Sequence, residues 1–204
     1  MTRRIGSWIV AAALALTAAP SFAQEVAPAP GRLEVTVIPA GGTFFTSKGT
    51  NPDFGNYTYG GALAVNFTRF VGVEAEVGGT AGVAQDLALS GGTSKLKTPD
   101  TLDYSGNVVF SLARGGSVVP FVTGGIGGLT MFERQELGID GNETFVTGNV
   151  GGGVKWYAPN GRWGIRGDYR FVTVKSKDEA PAFFGRDTRY GHRVYVGVVV
   201  NAVR

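Results

Sequence analysis

Apolar residues and small or polar residues alternate along this chain in eight stretches of strand length. The fourth is the clearest. Leu102, Tyr104, Gly106, Val108, Phe110 and Leu112 share one parity, and Thr101, Asp103, Ser105, Asn107 and Ser111 share the other. Side chains of a strand point alternately to opposite faces, so each parity is a separate surface. The eighth stretch sets Val194, Val196, Val198, Val200 and Ala202 against Arg193, Tyr195, Gly197 and Asn201. The third sets Val71, Val73, Ala75 and Val77 against Gly72, Glu74, Glu76 and Gly78, and in the seventh Trp163, Ile165, Gly167, Tyr169 and Phe171 oppose Arg166, Asp168 and Arg170. The second (Tyr57 to Phe67) and sixth (Thr144 to Tyr157) alternate likewise. The first, from about Leu33, is blurred by Pro39 and Gly41-Gly42, and the glycine-rich fifth, Val118 to Phe132, does not reveal its faces.

The connections alternate too. Thr68 to Phe70, Arg114 to Ser117 and Pro159 to Arg162 are tight turns; Ser47 to Asn56, Ala81 to Lys97, Glu133 to Asn142 and Lys175 to Thr188 are long. Aromatics collect at the strand ends, with Phe67, Phe70, Trp156, Tyr157 and Trp163 at one rim. Phe54, Tyr57, Tyr59, Phe132, Phe145 and Tyr190 lie at the other. Short turns alternating with long loops, between two aromatic girdles, predict an all-β fold: an eight-stranded antiparallel up-and-down transmembrane β-barrel. An even strand count puts both chain ends on the periplasmic side, with the long loops outside.

A secreted soluble barrel alternates as well, with its apolar face inward. Here the non-apolar face is rich in Gly, Ala, Thr and Asn, and only 17% of residues are charged, which is low for a surface in water. Residues 1–23 read as a secretory signal peptide: Arg3 and Arg4, an apolar run from Ile5 to Ala19, and Ser21-Phe22-Ala23 before the cleavage point. Without Arg3 and Arg4 the basic count falls from 19 to 17 against 16 acids, so the excess positive charge belongs mainly to the leader. That balance gives no support to nucleic-acid binding. The chain has no cysteine, which excludes disulfides, thiolate metal sites and a lipidated N-terminal cysteine. Residues 24–31 form a Pro/Ala lead-in and 32–204 one barrel domain, with no separate soluble domain expected after the last strand.

Nine charged residues fall on the non-apolar face: Glu34, Glu74, Glu76, Asp103, Lys155, Arg166, Asp168, Arg170 and Arg193. A basic residue turned to mid-membrane lipid costs ~2–4 kcal/mol, so together they must face the lumen. The lumen of eight strands is just wide enough to be filled by side chains. In a closed ring of eight, the third and seventh strands are opposite, so Glu74 and Glu76 should point at Arg166 and Arg170. The expected result is a salt-bridged plug.

RFVGVEAEVG (Arg69 to Gly78), PFVTGGIG (Pro120 to Gly127), WGIRGDYRF (Trp163 to Phe171) and RVYVGVVV (Arg193 to Val200) resemble the small outer-membrane β-barrel family of the OmpA/OmpX type. The resemblance spans about residues 32 to 204. It implies location in the bacterial outer membrane, contact with outer-membrane lipid and lipopolysaccharide, and insertion by the outer-membrane assembly machinery with periplasmic chaperones. It implies little about activity, because the family mixes structural proteins, adhesins and members without a known role. The chain departs from the family in ending Ala202-Val203-Arg204 rather than on an aromatic residue, which bears on the assembly signal and not on the fold.

His192 is the only histidine. A barrel lipid A deacylase would show His-x-Ser, where this chain has Val194; an omptin-type protease would show Asp-x-His, where it has Tyr190. By parity His192 faces outward near the external rim, as an interfacial imidazole and not a catalytic base. No set of His and Cys ligands can be assembled for zinc. The glycine clusters at 124–128 and 151–153 lack the Gly-Lys-Ser/Thr ending of a phosphate loop and read as close packing of strands. The cations Lys95, Lys97, Arg134, Lys175, Lys177, Arg186 and Arg189 fit either solvated loop charge or contact with lipopolysaccharide phosphate. The sequence therefore predicts a monomeric barrel with a structural or surface-interaction role, with no catalytic, cofactor or metal site. A small pore or carrier and a lipid A-modifying enzyme are the alternatives.

Overall fold

Ten strands follow one another along the chain: β1 (Leu33–Phe45), β2 (Phe54–Asn66), β3 (Val71–Gly82), β4 (Ala84–Leu89), β5 (Gly92–Lys97), β6 (Thr101–Ser111), β7 (Val118–Met131), β8 (Glu143–Tyr157), β9 (Trp163–Val174) and β10 (Arg189–Asn201). The computed structural model describes residues 33–46, 52–89, 92–112, 116–137, 139–175, 177 and 187–202. The predicted leader and lead-in, Arg114 and Gly115, Arg186, most of the Lys175 to Thr188 connection and the terminal Val203-Arg204 lie outside these residues. Eight strands close into one antiparallel barrel in the ring order β1-β2-β3-β6-β7-β8-β9-β10, and β10 pairs back onto β1. Each has 11 to 15 residues, enough for the ~9–11 that a tilted strand needs to span a bilayer.

The alternation predicted from sequence is the alternation observed. Leu102, Tyr104, Val108 and Phe110 are exposed on the outer wall of β6, as is Leu112 just after it, while Thr101, Asp103 and Asn107 are buried. The blur in β1 is a β-bulge. Its register shifts between Val37 and Ala40, so the inward residues change from Glu34, Thr36 and Ile38 to Gly41, Thr43 and Phe45. Pro39, which cannot donate to a ladder, sits in that bulge, and its carbonyl accepts from the Tyr57 hydroxyl. The undetermined faces of β7 are now fixed: Val119, Phe121, Thr123, Leu129 and Met131 point inward, and Val122 and Ile126 point outward.

Two expectations need correction here. The long connection Ala81 to Lys97 is not irregular: β3 runs on to Gly82, and β4 and β5 pair as a separate two-stranded hairpin. The aromatic girdles are also smaller than expected. Phe54, Phe145 and Tyr157 are buried inside the barrel, whereas Tyr57, Tyr59, Phe132, Tyr190, Phe67, Phe70, Trp156 and Trp163 remain exposed. Parity along β2 and β8 sends Phe54 and Phe145 to the same face as Asn56 and Thr147. On the outer wall Trp156 meets Trp163 edge-on, with ring centroids 5.7 Å apart.

Candidate functional site

The lumen is built in layers. At the end of the tight turns, Glu34 of β1 accepts from Lys155 Nζ and, at 2.7 Å, from the Tyr157 hydroxyl, both on β8. Val119, Tyr157 and Val199 fill the space around this pair.

The middle layer is a connected ion network. Arg166 of β9 reaches across the barrel to Glu74 of β3, donating from Nη1 to Oε2 and from Nη2 to Oε1 at 3.2 Å. It also donates from Nε to Asp168 Oδ2 at 3.0 Å. Arg170 joins Glu74 at 2.9 Å, Glu76 at 3.0 Å and Asp168 at 3.2 Å. Arg193 of β10 donates to Glu76 at 3.1 Å and to Asp103. The Tyr195 hydroxyl lies 2.9 Å from Glu76 and 3.0 Å from Asp168 and accepts from Arg170. The ring of Phe121 lies 4.7 Å from the Arg166 guanidinium carbon, where an aromatic face stabilises a cation stripped of water.

All nine charged residues expected to face the lumen do so, and none is more than 7% exposed. The expected opposition of Glu74 and Glu76 to Arg166 and Arg170 is realised in three contacts, Glu74 with both arginines and Glu76 with Arg170. Arg166 takes Asp168 as its second partner, and Glu76 takes Arg193. Tyr157 and Phe121 were not legible as network members, because an inward aromatic resembles any other core residue until its neighbours are known.

Above the ions, hydroxyl and amide groups bridge the strands. Thr43 meets Thr58 at 2.7 Å, Thr80 meets Thr101 at 2.7 Å, and Asn56 binds Thr80 and Thr98. The end carrying the long connections is then closed by an apolar cluster. Phe45, Phe54, Leu129, Met131, Phe145, Val172 and Val174 from the barrel pack with Leu87 of β4 and Ile139 of the β7–β8 connection. The β4–β5 hairpin thus folds over the mouth. It is pinned at its base by Gln85, which both donates to the Gly55 carbonyl at 2.7 Å and accepts from the Gly55 amide at 3.0 Å.

Arg189, expected among the rim and loop cations, is instead buried. Its Nε donates to the Thr46 carbonyl at 3.2 Å, Nη2 donates to the Pro52 carbonyl, and the guanidinium lies 4.9 Å from the Phe54 ring centroid. The position starts β10 on the inward parity, so the side chain ties the β1–β2 connection down and does not reach outward. Four other loop cations stand beside acids: Lys95 across from Asp86, Lys97 near Asp100, Arg134 near Glu136 and Lys177 near Glu143, while Lys175 is exposed at the end of β9.

His192 is on the outer wall, where its Nδ1 lies 2.8 Å from the Tyr169 hydroxyl and its ring lies 5.6 Å from that of Phe171. Phe171 in turn stacks on Tyr190. These four rings form an aromatic patch on the outer wall of β9 and β10.

The family model for the outer membrane protein beta-barrel domain matches residues 9–201. No curated protein matches the chain. Among solved structures, the chain is similar to neisserial surface protein A, at 11% identity and a TM-score of 0.58 over 83% of this chain and 96% of that one. It is also similar to the N-terminal β-barrel domain of OprF from Pseudomonas aeruginosa, at 13% identity and a TM-score of 0.53 over 83% of this chain and 98% of that one. A third similar structure is OprG from the same organism, at 13% identity and a TM-score of 0.53 over 87% of this chain and 98% of that one. At such identities the likeness is one of fold.

Proposed function

The chain belongs to the outer membrane protein β-barrel domain family, and from that premise we propose that it is a closed, non-enzymatic barrel of the bacterial outer membrane with a structural or surface-interaction role. The observation that carries this reading is the filled lumen. Ion pairs occupy its middle, an apolar cluster seals one mouth, and side chains of Arg166, Glu74, Asp168 and Arg170 are at most 1% exposed. A water-filled passage would leave such groups wet. The long connections face the outside and the tight turns the periplasm, residues 1–23 are a leader removed on export, and the mature barrel is a monomer bounded by lipid and lipopolysaccharide. Lys95, Lys97, Arg134 and Lys177 each have an acid beside them, which favours solvated pairs over a dedicated phosphate cradle.

Reconstitution of the protein in planar lipid bilayers tests the closed state. The expected trace is that of the bare bilayer; a stable, reproducible conductance would establish the pore reading in its place. The absence of an enzyme role is tested at the one histidine. His192→Ala is expected to leave both barrel assembly and the mass-spectrometric profile of lipid A unchanged, because the imidazole rests on Tyr169 and Phe171. A lipid modification lost in that variant would return the protein to the enzyme class.

A further inference from the structure

The buried charges of the lumen do not cancel. Five carboxylates (Glu34, Glu74, Glu76, Asp103 and Asp168) face four cations (Lys155, Arg166, Arg170 and Arg193), and every one of these residues is buried. Glu34 and Lys155 neutralise each other in the lower layer, so the deficit falls on the middle one, where four carboxylates share three guanidinium groups. An uncompensated charge in a dry interior is far more costly than a neutral acid, so such a site takes up a counter-charge.

The contacts identify where. Glu74 and Asp168 each touch both Arg166 and Arg170, and Glu76 touches Arg170 and Arg193 with the Tyr195 hydroxyl beside it. Asp103 has Arg193 alone, and that guanidinium is shared with Glu76. Arg193 donates to Asp103 Oδ1, while Oδ2 is buried with no hydrogen-bond partner among the described residues. Asp103 pairs across the ladders with Gly78 on β3 and Leu129 on β7, and Leu129 belongs to the apolar cluster. The charged groups that act on it from the elements packed around it are Glu76 from β3, Arg170 from β9 and Arg193 from β10. Its flank toward β7 is apolar.

We propose that Asp103 is a proton-binding site: its carboxyl group is neutral at pH 7, with the proton on Oδ2, and this makes the lumen electroneutral. The proton is drawn from water as the barrel assembles, and no other bond changes. A small monovalent cation at Oδ2 would supply the same charge, and the experiment separates the two.

The full chain refolded in phospholipid vesicles, with 13C-carboxyl aspartate, is examined by infrared difference spectroscopy across a pH series. A carboxylic C=O stretch that carries the isotope shift is expected at pH 7 in the wild type and in Asp168→Glu, which removes that aspartate's label and keeps the charge count of the layer. It is expected to vanish in Asp103→Asn. In Asp103→Glu the band is expected to persist without the aspartate label's shift, which assigns the group even if the Asn variant does not fold. Absence of any protonated carboxyl band at pH 7, or a band unchanged in both Asp103 variants, overturns the proposal. A wild-type barrel without that band whose thermal unfolding rises with sodium but not with choline overturns it in favour of a bound cation.

Discussion

Replacing Arg166 with alanine is expected to destabilise the barrel by about 3–5 kcal/mol, the usual cost of leaving a buried charge without its partner. Arg166 is completely buried and holds Glu74 and Asp168 on opposite walls. Its removal leaves four middle-layer carboxylates with two guanidinium groups. Glu74→Ala in the same background should restore much of the loss, because the charge stranded by the first change is then gone. The two costs are therefore expected to be strongly non-additive, with an interaction energy at the upper end of the roughly 0.5–3 kcal/mol seen for residues in contact. The measurement is urea unfolding of all four combinations in lipid vesicles. Strictly additive costs would show that the two side chains do not meet. Glu76→Ala is the comparison: its cations are Arg170 and Arg193, so its coupling to Arg166 should be weaker.

That pair is legible in the sequence because three simple constraints act on it. Parity sends Glu74 and Arg166 to one face each, the cost of charge in lipid sends both faces inward, and a ring of eight makes their strands opposite. None of these steps needs knowledge of side-chain conformation. The choice among neighbours in the network does need it. Arg166 prefers Asp168, two residues along its own strand, to Glu76, and Arg193 reaches Glu76 from β10, where it stands across the ladder from Arg170.

The closed mouth was hidden for a different reason. Phe54 and Phe145 stand near strand ends, where a girdle is expected, and composition does not separate an outward aromatic from an inward one. Their parity does: once the second stretch is extended back to Phe54, that residue shares the face of Asn56 and Thr58, and within the sixth stretch Phe145 shares the face of Thr147. Arg189 misled in the same way, since a basic residue beside a long loop reads as solvated. The bulge at Pro39 was visible only as a disturbance, because a one-residue insertion flips every later side chain to the other face. The β4–β5 hairpin has short runs and exposed polar residues, and so carries no alternation strong enough to distinguish it from a loop.

The glycine clusters support the second large prediction. Gly151→Val is expected to abolish assembly, measured as loss of the fast-migrating folded band of unheated protein on SDS gels. Gly151 lies inward on β8 and pairs with Arg170 on β9. A Cβ there would run into the carbonyl oxygen of Tyr169 and the Cα of Arg170. These are backbone atoms of the adjacent strand, so the clash cannot be relieved by a rotamer change. The cost should exceed the ~1–3 kcal/mol typical of overpacking. The missing side chain also leaves lumen volume beside the guanidinium of Arg170, which must cross to Glu74 and Glu76. Gly106→Val is the matched control. Gly106 lies on the outer wall of β6 with open space where a Cβ would stand, and no positive φ constrains it. A β-branched residue there restricts the unfolded chain and suits a strand, so stability should stay within about 1 kcal/mol of wild type or rise. Equal losses at the two positions would mean that the glycines serve chain flexibility. Loss at Gly151 alone would assign them to the close approach of strands around a lumen crowded with arginine.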